Sequence, residues 1–535
     1  MTTNGWSYAD AWEAAARREP DHLAIVHGTV ERTWRELDAR ADALAAALVG
    51  AGLGHQAKVA QLQRNGPDYI EVLFACFKAS LVPVNTNYRY GPDELRHLWT
   101  DCDAEAVVFA ADLAEVVDQV RADLPGVRLW LQVGEGPVPA WATGYEAAAG
   151  SGATLPDLPW ERSGDDLYLL YTGGTTGYPK GVMWRQDDLF RMIEQSQGEE
   201  TADEPDYEAL LDARKGPGAT VLPAAPLMHG TACWFTMPIL ARAGTVVLLT
   251  GRSLDPVELL DTVVARRVKG LCIAGEAFAR PLLTALDAEP DRWDLSTLRV
   301  IFSSGAALSA PSKARLLAHA PRALVVDGIG SSETGAAARS VAEPGAEVPA
   351  FSLSERTRVV DEEGRDVEPG SGQRGRIAVG GFLPVGYYKD PERTAETFVV
   401  RDGRRLVITG DWAEVAADGT ITLLGRGSSC INTGGEKVYP EEVELALLAL
   451  PGVGDAGVVG VPDERFGQTV VAVVRPAAGA ELVEADLIDG VKARLAGYKA
   501  PRRVVLAEDF PRGPNGKLDQ GALRDLALRP VQRQR

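Results

Sequence analysis

The apolar run Leu167-Tyr168-Leu169-Leu170-Tyr171 leads directly into Thr172-Gly173-Gly174-Thr175-Thr176-Gly177-Tyr178-Pro179-Lys180-Gly181. Closely spaced glycines let successive backbone N–H groups turn toward one anion, while threonine hydroxyls and a lysine add donors and positive charge. By composition the segment is a phosphate cradle at the end of a strand. It is not the GxxxxGK[ST] loop, because Pro179 precedes the lysine and Gly181 follows it. A flexible surface loop is the plain alternative. Three threonines, four glycines, a proline and a lysine in one short run after a strand argue against it.

Further along lie Pro226-Leu227-Met228-His229-Gly230, Ser303-Ser304-Gly305-Ala306-Ala307-Leu308 and Gly330-Ser331-Ser332-Glu333-Thr334-Gly335. Then come Gly386-Tyr387-Tyr388-Lys389-Asp390-Pro391, Thr409-Gly410-Asp411, Gly425-Arg426, Gly434-Gly435-Glu436-Lys437-Val438-Tyr439-Pro440 and Pro514-Asn515-Gly516-Lys517-Leu518. This ordered series resembles the adenylate-forming superfamily of acyl-CoA synthetases, peptide-synthetase adenylation domains and luciferases, and the resemblance spans nearly the whole chain.

The resemblance implies roles. Thr172, Gly173, Gly174, Thr175, Thr176, Gly177 and Lys180 would hold ATP phosphates, with Thr175 and Glu333 on Mg²⁺. Gly305, Ala306, Ala307, Asp327, Gly328, Ile329, Gly330, Ser331 and Ser332 would line the adenine and activated carboxyl, and Asp411 and Arg426 the ribose. His229 would stand at the mouth of the acid pocket, and Lys517 would be the catalytic cation. Gly434, Gly435 and Glu436 would meet CoA, and Ser428 would be the hinge. The bland readings are a satisfied core histidine for His229, a turn aspartate for Asp411, a surface ion-pair partner for Arg426, a tight loop for Gly434-Gly435 and a solvated lysine for Lys517.

The chemistry explains the residue types. A carboxylate is a poor electrophile, and attack on the ATP α-phosphate turns it into an acyl-adenylate with AMP as a good leaving group. Charge develops on the phosphates, so positioned cations and N–H donors are the tools required. A thiol such as that of CoA then displaces AMP.

Three positions depart from the family pattern. Ser428 stands where the hinge usually carries an aspartate or lysine, Ile329 where an aromatic commonly stacks on adenine, and Asn432 where some relatives carry a lysine.

Thr231-Ala232-Cys233-Trp234-Phe235 holds no acid to pair with an α-ammonium, and the chain ends soon after Lys517. Both features favour a stand-alone ligase over an amino-acid-activating module. Small residues at Gly275, Gly305 and Gly328 would leave a broad pocket, walled by Met228, His229, Cys233, Trp234 and Phe278, although ordinary core packing explains the same residues. The wording around Met183-Trp184 and Cys430-Ile431-Asn432 is most similar to ligases of steroid side-chain acids. A bulky polycyclic acid is therefore expected first and a fatty acid second. An adenylation-only or transfer-only enzyme, a luciferase-type oxygenase and a non-enzymatic nucleotide binder stay open.

The elements that must position these residues follow from pattern. Trp34 to Leu53 sets Leu37, Ala41, Leu44, Ala45 and Leu48 on one helical stripe, and Lys58 to Leu62 is a short β-type run. Alternating strands and helices predict an α/β fold: a large N-terminal domain of mixed, largely parallel sheets with a β-barrel-like subdomain, and a small mobile α+β C-terminal domain. The boundary is placed near residues 425–430, giving domains 1–427 and 428–535.

With 55 Lys+Arg against 75 Asp+Glu, the net charge of −20 disfavours nucleic acid or an anionic membrane as partner. Five scattered cysteines form no CxxC pair and read as reduced thiols, and the six histidines show no metal-ligand spacing. The opening residues lack a secretory pattern and no apolar run reaches bilayer length. A cytoplasmic protein is expected, with a homodimer left open.

Overall fold

A computed structural model of the chain describes residues 5–172, 179–213, 216–426, 431–433, 436–463, 467–495, 497–512 and 518–529. The expected helical stripe is realised as the helix Trp34–Gly50, which buries Leu37, Ala41, Leu44, Ala45 and Leu48. Its start is fixed by a capping box in which the Thr33 side chain accepts from Glu36 N and the Glu36 carboxylate accepts from Thr33 N. The strand Lys58–Leu62 has the predicted bounds.

The described strands form three sheets. In the 8-stranded sheet, Val82–Asn85 lies between Lys58–Leu62 and Leu167–Thr172, all parallel, with Ala104–Ala110 and Leu129–Val133 continuing beyond. Lys180–Arg185 and then Gly386–Tyr387 complete one edge, both antiparallel. The 14-stranded sheet runs parallel from Leu23–His27 through Thr245–Leu248, Thr220–Pro223, Gly270–Ile273, Val300–Ser304 and Leu324–Ser331. Gly270–Ile273 and Thr245–Leu248 are buried at every position, as parallel strands covered on both faces must be.

From Gly335–Ala342 onward the same sheet turns antiparallel, through Phe351–Leu353, Thr420–Arg426, Arg404–Val415, Arg374–Val379 and Thr357–Val360. Asp418-Gly419 forms the turn between Arg404–Val415 and Thr420–Arg426, with Gly419 N donating to Ala416 O.

The 5-stranded sheet, built around the long pair Val453–Asp463 and Gly467–Pro476, packs the helices Pro440–Leu448 and Glu484–Lys492. Val443, Leu447, Val458, Ala472, Val474 and Val491 form a core of their own there. Arg280 crosses to this unit, its Nη1 donating to Val453 O at 2.6 Å. Cys76, Cys102, Cys233 and Cys272 are buried free thiols. No described helix is long and apolar enough to cross a membrane.

Candidate active site

In open α/β sheets, ligands bind beyond the carboxyl ends of parallel strands. The chain leaves those ends at Asn65, Asn85, Thr172, Ala225, Gly275, Gly305 and Ser331, which places the Thr172, His229, Gly305 and Glu333 motifs at strand ends of the two larger sheets.

The Glu333 loop is the best defined part. Leu324–Ser331 and Gly335–Ala342 pair as a hairpin in which Ser331 faces Gly335, leaving Ser332, Glu333 and Thr334 at its tip. Hydroxyls fix the tip. Thr334 Oγ1 accepts from Ser331 N at 3.1 Å, and Ser331 Oγ accepts from Glu333 N at 3.2 Å. A Cβ at Gly330 would lie 2.1 Å from Gly335 O, a backbone atom that cannot swing aside. Gly330→Ala is therefore expected to destabilise the protein by about 1–3 kcal/mol through overpacking, read as a lower denaturant midpoint at unchanged slope.

Three side chains tie the tip to other elements. Trp184 Nε1 donates to Ser332 O at 2.9 Å, Tyr387 Oη donates to Glu333 Oε1 at 2.8 Å, and Arg356 Nη2 donates to Thr334 O and Ala336 O. Arg356 is held by carbonyls, and burial lowers its guanidinium to about 10. Burial and then Glu333 raise the Tyr387 phenol, keeping it a donor. Lys180 Nζ sits 5.6 Å from the Tyr387 ring centroid. Its pKa is lowered by burial and then by Arg393, against which Glu333 acts. Lys180, Tyr387 and Glu333, from three separate motifs, thus share one locality across the two sheets.

On the acid side, His229 caps the helix Gly230–Leu240, and its carbonyl accepts from Cys233 N at 3.1 Å. Met228, Cys233 and Phe278 are buried in the main core, whereas His229 and Trp234 retain some exposure. Trp234 meets Trp184 edge-to-face at 5.7 Å. Tyr168 Oη lies 3.7 Å from Cys233 Sγ, and burial pushes that thiol up to about 12. Gly275 adopts φ +58°, and a Cβ there would be 2.4 Å from Ala307 O, so only glycine lets these two loops touch. Gly305 faces Thr231, whose Oγ1 would lie 3.3 Å from an added Cβ.

The remaining nucleotide-side residues divide. Gly305, Ala306 and Ala307 follow the strand Val300–Ser304, with Gly305 and Ala307 exposed. Ser304 Oγ donates to Gly328 O at 2.9 Å across to the next strand. Ile329 packs partly buried against the core, so aliphatic surface stands where an aromatic is common. The Asp327 carboxylate is engaged by Lys313 Nζ at 2.7 Å, both groups nearly inaccessible. Asp411 and Arg426 occupy facing register positions of one antiparallel pair. Glu436 lies in the strand Glu436–Val438.

Gly173, Gly174, Thr175, Thr176, Gly177, Ser428, Gly434, Gly435 and Lys517 lie outside the described residues. Arg512 and Leu518, which flank the Lys517 segment, form an antiparallel bridge. No three His, Cys, Asp or Glu side chains among the described residues converge as a ligand set. Sequence reasoning missed Asn65, Asn85, Trp184 and Arg356, whose partners lie far away in the chain.

A family model described as AMP-binding enzyme matches residues 12–388. The chain belongs to the AMP-binding enzyme family. The family's C-terminal domain model matches residues 442–517 of this AMP-binding enzyme. It is 41% identical to a medium/long-chain-fatty-acid and 3-oxocholest-4-en-26-oate CoA ligase of Mycobacterium marinum, covering 96% of this chain and 94% of the relative. A 3-oxocholest-4-en-26-oate CoA ligase of Rhodococcus rhodochrous is 39% identical over 98% of this chain and 96% of its own. Among solved structures, ATP-bound MatB from Rhodopseudomonas palustris aligns with a TM-score of 0.78 at 29% identity, over 96% of this chain and 98% of that one.

Proposed function

We propose that the protein is an AMP-forming acid–CoA ligase acting on hydrophobic carboxylic acids, bulky polycyclic acids such as steroid side-chain acids first and medium or long fatty acids second. The geometric observation that carries the reaction class is the convergence of Lys180, Tyr387 and Glu333 beside the strand end that opens the phosphate cradle. Of the two relatives above, one is named for both acid classes and the other for the steroid acid alone.

In the first step, a carboxylate oxygen attacks the ATP α-phosphorus, the bond to the β-phosphate bridging oxygen breaks, and pyrophosphate leaves. Thr172 to Lys180 hold the β- and γ-phosphates, and Lys517 places its ammonium between the carboxylate and the α-phosphate. The Glu333 carboxylate and neighbouring hydroxyl oxygens are hard donors suited to Mg²⁺, which would neutralise phosphate charge when held by Glu333 and Thr175. The Tyr387 hydrogen bond aims the Glu333 carboxylate. Asp411 and Arg426 hold the ribose, while Gly305 to Ala307 and Gly328 to Ser332 bracket the adenine and the activated carboxyl.

In the second step, the CoA sulfur attacks the acyl carbon and AMP departs, with Gly434, Gly435 and Glu436 along the pantetheine path. The division into 1–427 and 428–535, with the hinge at Ser428, belongs to this reading, as do a cytoplasmic location and action as a monomer or homodimer.

The deciding experiment incubates the protein with ATP, Mg²⁺ and steroid, diterpenoid, aryl or fatty acids, with and without CoA, and identifies products by mass spectrometry. An acyl-CoA from the steroid or fatty class is the expected result. Acyl-AMP that persists despite CoA would overturn the second step, and no adenylate from any acid would overturn the ligase reading.

A further inference from the structure

Two asparagines outside every motif discussed above hold the nucleotide side and the acid side together. Asn85 ends the strand Val82–Asn85 and is 7% exposed. Its Oδ1 accepts from Tyr171 N at 2.6 Å, and its Nδ2 donates to Tyr171 O at 2.9 Å and to Met228 O at 2.8 Å. One acceptor and two donors are thereby committed, and the two carbonyl partners fix which end of the amide is nitrogen. Tyr171 immediately precedes Thr172, and Met228 immediately precedes His229. One side chain therefore grips both chain segments a single residue upstream of the groups proposed to meet ATP and the acid.

Asn65 repeats the arrangement from the neighbouring strand end. Its Nδ2 donates to Ala225 O at 3.1 Å, and its Oδ1 accepts from Leu227 N at 2.7 Å. It thus spans Pro226, which has no N–H of its own. Asn85 belongs to the 8-stranded sheet and Asn65 follows its strand Lys58–Leu62, whereas 225–229 follows the strand Thr220–Pro223 of the 14-stranded sheet. The bonds go to backbone groups, so they fix where the chain runs rather than which side chains it carries.

We propose that Asn85, assisted by Asn65, is a positioning residue that aligns the acid with the α-phosphate while touching neither. The inference rests on the ligase reading. A misplacement of about 1 Å between reacting groups costs on the order of 10²-fold in rate. Substrate affinity changes less, because each half of the site remains whole. Asn85→Asp keeps the shape and the acceptor for Tyr171 N, but presents oxygen to two carbonyls. Asn65→Ala loosens the same loop from a less buried position.

The test measures ATP–pyrophosphate exchange by the full chain with dodecanoate and with 3-oxocholest-4-en-26-oate, together with thermal unfolding and amide hydrogen exchange. In Asn85→Asp, kcat is expected to fall about 10²-fold while KM for ATP and acid moves less than about threefold, with the folded fraction at assay temperature unchanged. In Asn65→Ala the same split is expected at smaller size, with faster exchange at Leu227. A kcat equal to that of the unsubstituted protein, a rise in KM alone, or a loss matched by the unfolded fraction in both variants would each overturn the inference. Unsubstituted protein that exchanges pyrophosphate with neither acid would instead overturn the ligase reading beneath it.

Discussion

Lys517→Ala is expected to abolish acyl-adenylate formation while leaving transfer to CoA from a supplied acyl-adenylate intact. The reason lies in where charge appears. In the first step a carboxylate approaches a phosphate, two anions that repel until a cation stands between them. In the second a neutral acyl carbon is attacked and AMP departs with the electron pair of the broken C–O bond, so no pair of anions has to be brought together. Removing one preorganised donor from a developing oxyanion costs roughly 2.7–4 kcal/mol, about 10²–10³ in rate. Arg512, five residues before this lysine, makes paired guanidinium bonds of 2.8 Å to Asp455 in the strand Val453–Asp463. Pyrophosphate exchange reads the first step, and thioester formation from synthetic adenylate reads the second. Equal loss of both would refute the division of labour.

Glu333→Gln carries the second large effect. The substitution keeps the size of the side chain and an oxygen for the Tyr387 hydroxyl, yet removes the negative charge. If that carboxylate holds Mg²⁺ against the phosphates, adenylation falls about 10²-fold or more, and the Mg²⁺ concentration for half-maximal rate rises. Tyr387→Phe should give a smaller loss of the same kind, because it leaves the charge and removes only the 2.8 Å bond that aims it. Titrating Mg²⁺ at saturating ATP for all three proteins checks the order. A Glu333→Gln enzyme with unaltered Mg²⁺ dependence would remove Glu333 from the metal.

The local pattern made much of this architecture legible. Lys58–Leu62 has the bounds that its apolar run predicts. The helix at Trp34 was legible from its stripe, although it stops at Gly50 and Leu53 is buried beyond its end. Apolarity reports burial, and burial continues after helical geometry stops. The Glu333 loop was legible because its hydroxyls and glycines act within a few residues of one another. Asn65 and Asn85 were not, since their partners lie 162 and 143 residues away and a single asparagine carries no period. Asp327 shows the reverse case: its motif suggested a nucleotide contact, and the structure pairs its carboxylate with Lys313 from a helix that the motif does not include.

The strand order of the large sheet sets a timetable for synthesis. Leu23–His27 emerges among the first residues, yet the parallel strand it needs begins at Thr245, whose hydroxyl donates to Leu23 O from 222 residues further on. At about 5–20 residues per second, that gap keeps the early strand waiting roughly 10–45 s on the ribosome. Meanwhile Val30–Thr33 is its one other partner among the described strands, and a lone hairpin is marginal in water. The nascent chain therefore exposes the apolar edge of Ile25 and Val26 for about two fifths of its translation. Expression yield should accordingly respond to factors that shield nascent chains more than to changes in the finished fold.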